Sequence, residues 1–181
     1  YRFEGYQTSL YNEAKPDEKR QQYFRMGEGY DVNITGAYNL LSGRCIQREG
    51  TWMQLDFNDK DAQGNYRIKQ FHGDYGYDLE KVLKDLPLKE LLNKGDADKL
   101  REALKDGNRI SVSFIKDGNE QRFYIETNPQ FQSVNIYDEH SRKVTLNTAL
   151  GNKTVDALKE TSKVNERQQI GQGKKNGMRM N

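Results

Sequence analysis

The sequence predicts an α+β fold, with an antiparallel sheet, several short helices on one of its faces and a flexible basic C-terminal tail. Three observations carry this prediction. Residues 109–138 alternate apolar and polar side chains, as pleated strands with one buried face do. Short helical patterns lie between Asp78 and Gly107. After Arg167 the chain is polar and basic, with few apolar residues.

Residues 109–138 read as three strands joined by two turns. The first strand starts at Ile110 and ends before Asp117-Gly118, a pair that favours a tight turn because it tolerates positive φ. The chain returns over residues 121–126. It breaks at Asn128-Pro129, where proline removes a ladder donor, and resumes over residues 133–137.

The first residues of the chain predict an arm rather than a domain. Residues 1–20 mix aromatic and polar side chains, and Pro16 lies in a charged stretch. We therefore assign an N-terminal arm or linker, which could also supply an edge strand. The α+β domain then spans residues 21–152, and its first strand is predicted at residues 21–26.

A helix and a hairpin follow. Thr35 is a plausible N-cap for a helix over residues 36–42, and Gly43 stands where a glycine often ends a helix. Residues 44–48 and 51–57 predict a hairpin. Its alternation places Met53, Leu55 and Phe57 on the core side and Trp52, Gln54 and Asp56 on the opposite side.

The remaining elements are short. A strand is predicted over residues 66–71, and Asp78 is an N-cap candidate for a helix that Pro87 ends. The later elements are helices over residues 88–93 and about 97–105, one last element over 144–151, and a helix plus basic tail over 153–181.

Composition limits the classes of protein. Only 34% of the residues are hydrophobic, so 11 Tyr and 7 Phe must supply much of the core. No apolar run is long enough to cross a membrane, and the N-terminal residues lack the apolar segment of a signal peptide. The single Cys45 allows no internal disulfide and no cysteine-based zinc site. We therefore expect a reducing, cytoplasmic setting.

Charge is unevenly distributed along the chain. Residues 1–152 carry 22 Lys+Arg and 24 Asp+Glu, whereas residues 153–181 carry 7 and 3. The body therefore lacks the basic face of a duplex-binding domain, and only the tail is basic. The predicted nucleic-acid-binding residues are Lys174, Lys175 and Arg179 in the tail, with Arg142 and Lys143 near the end of the body.

One segment of the body predicts a recognition loop. Residues 71–78 are dense in aromatic side chains and glycine, and loops carry binding residues more often than cores do. The candidates are Phe71, His72, Tyr75 and Tyr77. The alternative is a strand-to-helix connection whose tyrosines cover the edge of the core.

No motif predicts catalysis, a metal or a cofactor. Residues 59–64 begin like a calcium loop, but Gln70 stands where a bidentate carboxylate is needed, which favours a hairpin turn. His72 and His140 lack metal-ligand spacing, and neither glycine-rich segment matches a phosphate loop. We interpret Cys45 as a small buried side chain. The alternative is a nucleophile that a histidine and a carboxylate from distant parts of the chain activate in the fold.

Three stretches carry a resemblance to a known family: residues 33–46 (NITGAYNLLSGRCI), residues 52–77 around GNYRIKQFHGDYGY, and residues 107–138. Together they resemble an uncharacterised domain family of Bacteroidetes proteins, many of which are encoded on conjugative or other mobile elements near topoisomerase and DNA-processing genes. The resemblance covers residues 20–150 and implies a context but no activity or site residues.

The sequence thus leads to two functional hypotheses. The first is a non-enzymatic binding module that docks a protein partner in a DNA-processing or conjugation apparatus, with loose nucleic-acid affinity from the tail. The second is a direct nucleic-acid binder that uses a face of Arg67, Lys69, Tyr75, Tyr77, Arg142 and Lys143. Carboxylates between these residues would weaken the second hypothesis. An enzyme is a third class that no motif supports.

Overall fold

The computed structural model describes residues 1–29 and 31–151, which form nine strands and four α-helices. This confirms the α+β prediction. The chain divides into two compact units, Tyr1–Lys143 and Val144–Asn181.

The strands are β1 Gly5–Leu10, β2 Arg20–Arg25, β3 Ile46–Arg48, β4 Thr51–Lys60, β5 Tyr66–Phe71, β6 Ile110–Lys116, β7 Asn119–Asn128, β8 Ser133–Tyr137 and β9 Lys143–Val144. The helices are α1 Ile34–Leu41, α2 Leu79–Lys84, α3 Lys94–Lys105 and α4 Leu146–Ala149. Short 3-10 turns cover Gly73–Tyr75, Lys89–Leu92 and Pro129–Phe131.

The strands divide among three sheets instead of forming one. The first sheet is the hairpin β1–β2, the second has the order β3–β4–β5, and the third has the order β6–β7–β8–β9. The registered pairs from β1 to β8 are antiparallel. The three strands predicted over residues 109–138 are confirmed, and the turn at Pro129 separates β7 from β8. Residues 1–20 contribute β1, which pairs with β2 along its whole length.

Helix α1 begins earlier than predicted. Its N-cap is Asn33, whose side-chain oxygen accepts from the Gly36 N–H at 2.8 Å. The prediction of Thr35 as the cap is wrong, because Thr35 lies inside the helix. Asparagine at position 33 supplies the acceptor that the first turn needs.

The first two sheets and α1 share one apolar core. Its buried members include Phe24, Val32, Leu40, Met53 and Leu55. The apolar positions predicted for the core side of β4 therefore lie there, with Phe57 packed beside them.

The opposite side of β4 is also buried at its first residues. Trp52 is only 3% exposed, and its ring meets that of Tyr77 edge-on with centroids 5.4 Å apart. Trp52 lies on the side of β4 opposite Met53 and Leu55, as the alternation predicts, and the segment before α2 covers it.

Helices cover one face of the third sheet. Asp78 caps α2 by accepting from the Lys81 N–H at 3.1 Å, as predicted. Helix α3 begins at Lys94, capped by Asn93, and packs against β6 and β7. The helix predicted over residues 88–93 is a 3-10 turn over Lys89–Leu92.

In the second unit the described residues end at Gly151. Thr145 caps α4 through its hydroxyl, which accepts from the Thr148 N–H at 3.2 Å. Across the parts of both units that the structure describes, none of the helices is long and apolar enough to cross a membrane.

Candidate functional site

A cleft of about 990 Å³ separates the edge of β2 from the edge of β5. Residues 22–25 line one side of it, and residues 66–68 with Gln70 line the other. The turn between β4 and β5 contributes Asp61, Gln63 and Asn65. Amide side chains are frequent in this lining, so the cleft offers many neutral donors and acceptors.

Side-chain amides close one end of the cleft. Gln22 donates from Nε2 to the Tyr66 carbonyl at 3.0 Å and accepts at Oε1 from the Tyr66 N–H at 2.8 Å. Asn65 Oδ1 accepts from the Tyr23 N–H at 2.9 Å. A carboxamide carries the same donor and acceptor as a peptide group. These two side chains therefore hold β2 and β5 together where no backbone pairing joins the strands.

The bottom of the cleft is apolar. Phe24, Val32 and Met53 line it, and all three belong to the buried core. Ile68 lines the same cleft but is 43% exposed, although it lies on the same face of its sheet as the buried Leu55. The open space beside β5 leaves this isoleucine uncovered.

The rim of the cleft carries an aromatic ring and paired charges. Tyr23 is 38% exposed, and a Cβ built at Gly5 would lie 2.6 Å from its hydroxyl oxygen. Glycine at position 5 therefore makes room for this ring. Arg25 lies 3.6 Å from Glu28, and Arg67 lies 3.3 Å from Asp59. Each of these rim cations has a carboxylate within ion-pair distance.

The predicted recognition loop packs largely against the protein. Phe71 is buried, and its ring meets that of Tyr75 with centroids 5.0 Å apart. The Tyr75 hydroxyl donates to the Gln130 carbonyl at 2.8 Å. The Tyr77 hydroxyl donates to the Ser133 carbonyl at 2.9 Å. These contacts tie the loop to the segment that enters β8, which is the structural role we gave as the alternative.

Two of the body residues predicted to contact nucleic acid, Arg142 and Lys69, lie beside carboxylates. Arg142 Nε donates to Asp138 at 2.9 Å, and hydrogen bonds from the Arg142 and His140 backbones help hold the pKa of Asp138 below its usual value. Lys69 lies 3.7 Å from Asp56. Lys143 is exposed. The tail residues Lys174, Lys175 and Arg179 lie outside the described residues.

A buried carboxylate organises the third sheet. Glu126 on β7 is 6% exposed and accepts from Arg109 Nε at 3.1 Å, Asn135 Nδ2 at 3.0 Å and the Tyr137 hydroxyl at 2.8 Å. The Arg109 guanidinium lies 3.7 Å from the centre of the Tyr137 ring. Burial and the hydrogen bond to Glu126 raise the pKa of Tyr137 to about 12. Its partners surround this carboxylate, so we assign it a structural role.

Cys45 and the two histidines have separate neighbours. Burial, and then the charge of Glu126, raise the pKa of Cys45 to about 12, which keeps the thiol protonated. His72 Nδ1 shares a hydrogen bond with Thr51 Oγ1 at 3.2 Å. His140 is exposed and lies 3.6 Å from Glu139. The contacts of neither histidine activate the cysteine.

The loop that resembled a calcium site is a turn. Asp61 Oδ1 accepts from the N–H groups of Gln63 and Asn65 at 2.9 and 3.0 Å, and Asp59 pairs with Arg67. In residues 1–29 and 31–151, no group of three or more His, Cys, Asp or Glu side chains could hold a metal ion.

The sequence did not identify the cleft residues Tyr23, Gln22, Ile68 and Gln70 as a site. The pattern marked their strands, but the two strands are 44 residues apart at the Gln22–Tyr66 contact. The available signal was Gln22, a polar residue two positions before Phe24 in the predicted strand, which needs a hydrogen-bond partner if it is buried.

No family model, curated protein or solved structure matches this chain in comparisons with known proteins.

Proposed function

We propose that the chain is a non-enzymatic binding module that receives part of a protein partner in the cleft between β2 and β5. The observation that carries the proposal is the cleft itself, which opens to the apolar core through Phe24 and Met53 and is bordered by neutral amides. Binding sites combine an apolar base with a few convergent polar groups in this way.

The partner belongs to a DNA-processing or conjugation apparatus in this proposal. The support is the resemblance of residues 20–150 to a domain family encoded on mobile elements. It concerns context alone and does not identify the partner.

A binding assay with a matched pair of variants tests the proposal. The full chain is titrated by interferometry against the topoisomerase and other DNA-processing proteins of a Bacteroidetes conjugative element. Gln70→Arg places a long charged side chain at the cleft, whereas Gln121→Arg makes the same change at an exposed position of β7. We expect Gln70→Arg to weaken binding and Gln121→Arg to leave it unchanged. Equal binding by both variants, or none by the unaltered chain, would contradict the proposal.

Loose nucleic-acid affinity is a second candidate function, favoured by the charge of residues 153–181, which is +4. In the body, by contrast, Arg67, Lys69 and Arg142 lie within 4 Å of carboxylates. Fluorescence anisotropy with single- and double-stranded DNA and RNA, across a salt series, compares the full chain with one cut at Asn165. We expect the full chain to bind with a salt dependence that corresponds to only a few phosphate contacts. The chain cut at Asn165 should not bind. Binding that survives truncation would place nucleic acid on the body.

A further inference from the structure

The outer edge of β2 presents backbone groups to the cleft. The Tyr23 N–H donates to the Asn65 side chain and therefore faces away from β1. Backbone groups alternate in direction along a strand, so those of Arg25 also face away from β1. The Met26 N–H, which donates to the Glu4 carbonyl at 2.9 Å, fits the same alternation because it faces β1.

The outer edge of β5 presents backbone groups from the opposite side. Both backbone groups of Tyr66 are engaged by Gln22, so they face away from β4. By the same alternation, the N–H and C=O groups of Ile68 and Gln70 also face away from β4. Both residues line the cleft. Unpaired strand edges of this kind are templates for pairing with another chain.

The two edges run in the same direction away from the closed end. The junction lies at Gln22 and Tyr66, and the cleft is lined by residues that follow it in both strands, as far as Arg25 and Gln70. A segment that runs the opposite way would be antiparallel to both edges. Its two sides could then form antiparallel hydrogen-bond ladders, one with β2 and one with β5.

We infer that the cleft binds an extended segment of a protein partner by strand addition, which completes one sheet in the order β1–β2–segment–β5–β4–β3. The inference rests on the proposed function and specifies how the partner is held. Main-chain hydrogen bonds would supply affinity, and alternate side chains would supply specificity, as in other cases of strand addition.

The cleft also defines the chemistry of the segment. Side chains that point inward meet Phe24, Met53 and the exposed Ile68, so apolar residues fit at alternate positions. At the rim, Arg25 and Arg67 already have carboxylate neighbours at 3.6 and 3.3 Å. A segment of low net charge therefore complements the rim, since a strongly charged one would have to compete with these pairs.

Peptide selection against the full chain tests the inference. Random peptides of about 10 residues, long enough for one strand, are displayed on phage and selected. The selected peptides are titrated against the unaltered chain and two proline variants. Ile68→Pro removes an N–H that faces the cleft. Ser9→Pro is the matched control, because alternation from Glu4 places the Ser9 N–H on the outer edge of β1, away from β2.

We expect Ile68→Pro to weaken peptide binding by about tenfold or more, because one or two backbone hydrogen bonds are lost. Ser9→Pro should leave peptide binding unchanged. Circular dichroism confirms that each variant folds. The same titration with N-methylated peptides needs no change in the protein. Methylation should weaken binding at each successive position of the paired stretch, since the N–H groups there face β2 and β5 in turn, and should have no effect at the ends of the peptide.

Methylation that leaves binding unchanged or weakens it only at alternate positions, or peptides that bind both proline variants equally, would overturn the addition of a strand between β2 and β5. The outcomes also separate the two claims. If the chain binds its DNA-processing partner but methylation within the selected peptides leaves their binding unchanged, strand addition fails while the proposed function stands. If neither a partner nor a peptide binds, both fail.

Discussion

The side chain of Gln22 pairs with both backbone groups of Tyr66, at 3.0 Å to the carbonyl and 2.8 Å to the N–H. Gln22 lies on the buried face of β2 with Phe24, and its side chain reaches the backbone groups at the outer edge of β5. Beyond this contact the two edges line an open cleft. At this position the outer edge of β5 is thus engaged by a donor and an acceptor of the protein itself.

Replacing Gln22 by leucine should destabilise the protein. Gln22 is 3% exposed and Tyr66 is 8% exposed, so the substitution would leave a buried N–H and a buried C=O without partners. Each such group costs about 1–3 kcal/mol. Urea unfolding should show a loss of about 2–4 kcal/mol. Gln21→Leu, at the exposed neighbour, is the control, and an equal loss there would refute the explanation.

Gly5→Ala should also destabilise the fold. A Cβ at this position would lie 2.4 Å from the Phe24 carbonyl oxygen and 2.6 Å from the Tyr23 hydroxyl oxygen. Because the first contact is with the backbone, the hairpin must shift, at a cost of about 1–3 kcal/mol. Gly73→Ala is the matched control, since its Cβ would meet open space. Thermal unfolding that gives the same midpoint for both variants would contradict this reading.

Glu126→Gln should lower stability through the third sheet. The amide would turn an N–H₂ group toward the donors that now surround the carboxylate, and Arg109 would lose its charged partner. Removing one partner of a buried pair costs about 3–5 kcal/mol, and partial exposure of Arg109 favours the lower end. Denaturant unfolding measures the change. Glu120→Gln, at an exposed ion pair with Lys89, should leave stability unchanged. Similar stability of the two variants would contradict the stabilising role of Glu126 in the third sheet.

Cys45 should resist thiol reagents while the protein is folded. Burial raises its pKa from 9.0 to about 12, so little thiolate forms near neutral pH. The folded state holds this proton more tightly than the unfolded state does. The contribution to stability is therefore complete below the unfolded pKa and is lost as pH rises toward 12.

The measurement is modification by an aromatic disulfide reagent at pH 8, with and without urea. We expect slow modification of the folded protein and fast modification in urea. In alkaline unfolding curves, Cys45→Ala should lose less stability above pH 9 than the unaltered chain. Rapid modification without urea would show that the thiol is accessible.

Local signals were sufficient for the strands and most of the short helices. The alternation that starts at Ile110, the Asp117-Gly118 turn and the Asp78 cap each depend on residues close in sequence, and each is found in the structure. Thr35 was a misleading cap because Asn33, two residues earlier, is as good an acceptor. Local rules do not choose between two such neighbours.

The candidate site depended on contacts that the sequence does not show. The cleft lies beside the contacts of Gln22 with Tyr66 and of Tyr23 with Asn65, and nothing near these residues in the sequence sets that spacing. Trp52 and Glu126 were similar cases. Their strands were predicted, but the burial of both side chains comes from the segment at Tyr77 and from the partners of Glu126. Tertiary contact decides burial in such strands.

Hydrogen exchange of single backbone amides, with and without a bound segment, tests the central claim most directly. The amides of Arg25, Ile68 and Gln70 face the cleft, whereas the Lys69 amide lies within the β4–β5 pairing. Binding of a selected peptide to the full chain should slow exchange at these three amides and leave Lys69 unchanged. Protection confined to residues outside the cleft, such as those of the 71–78 segment, would contradict strand addition at this site.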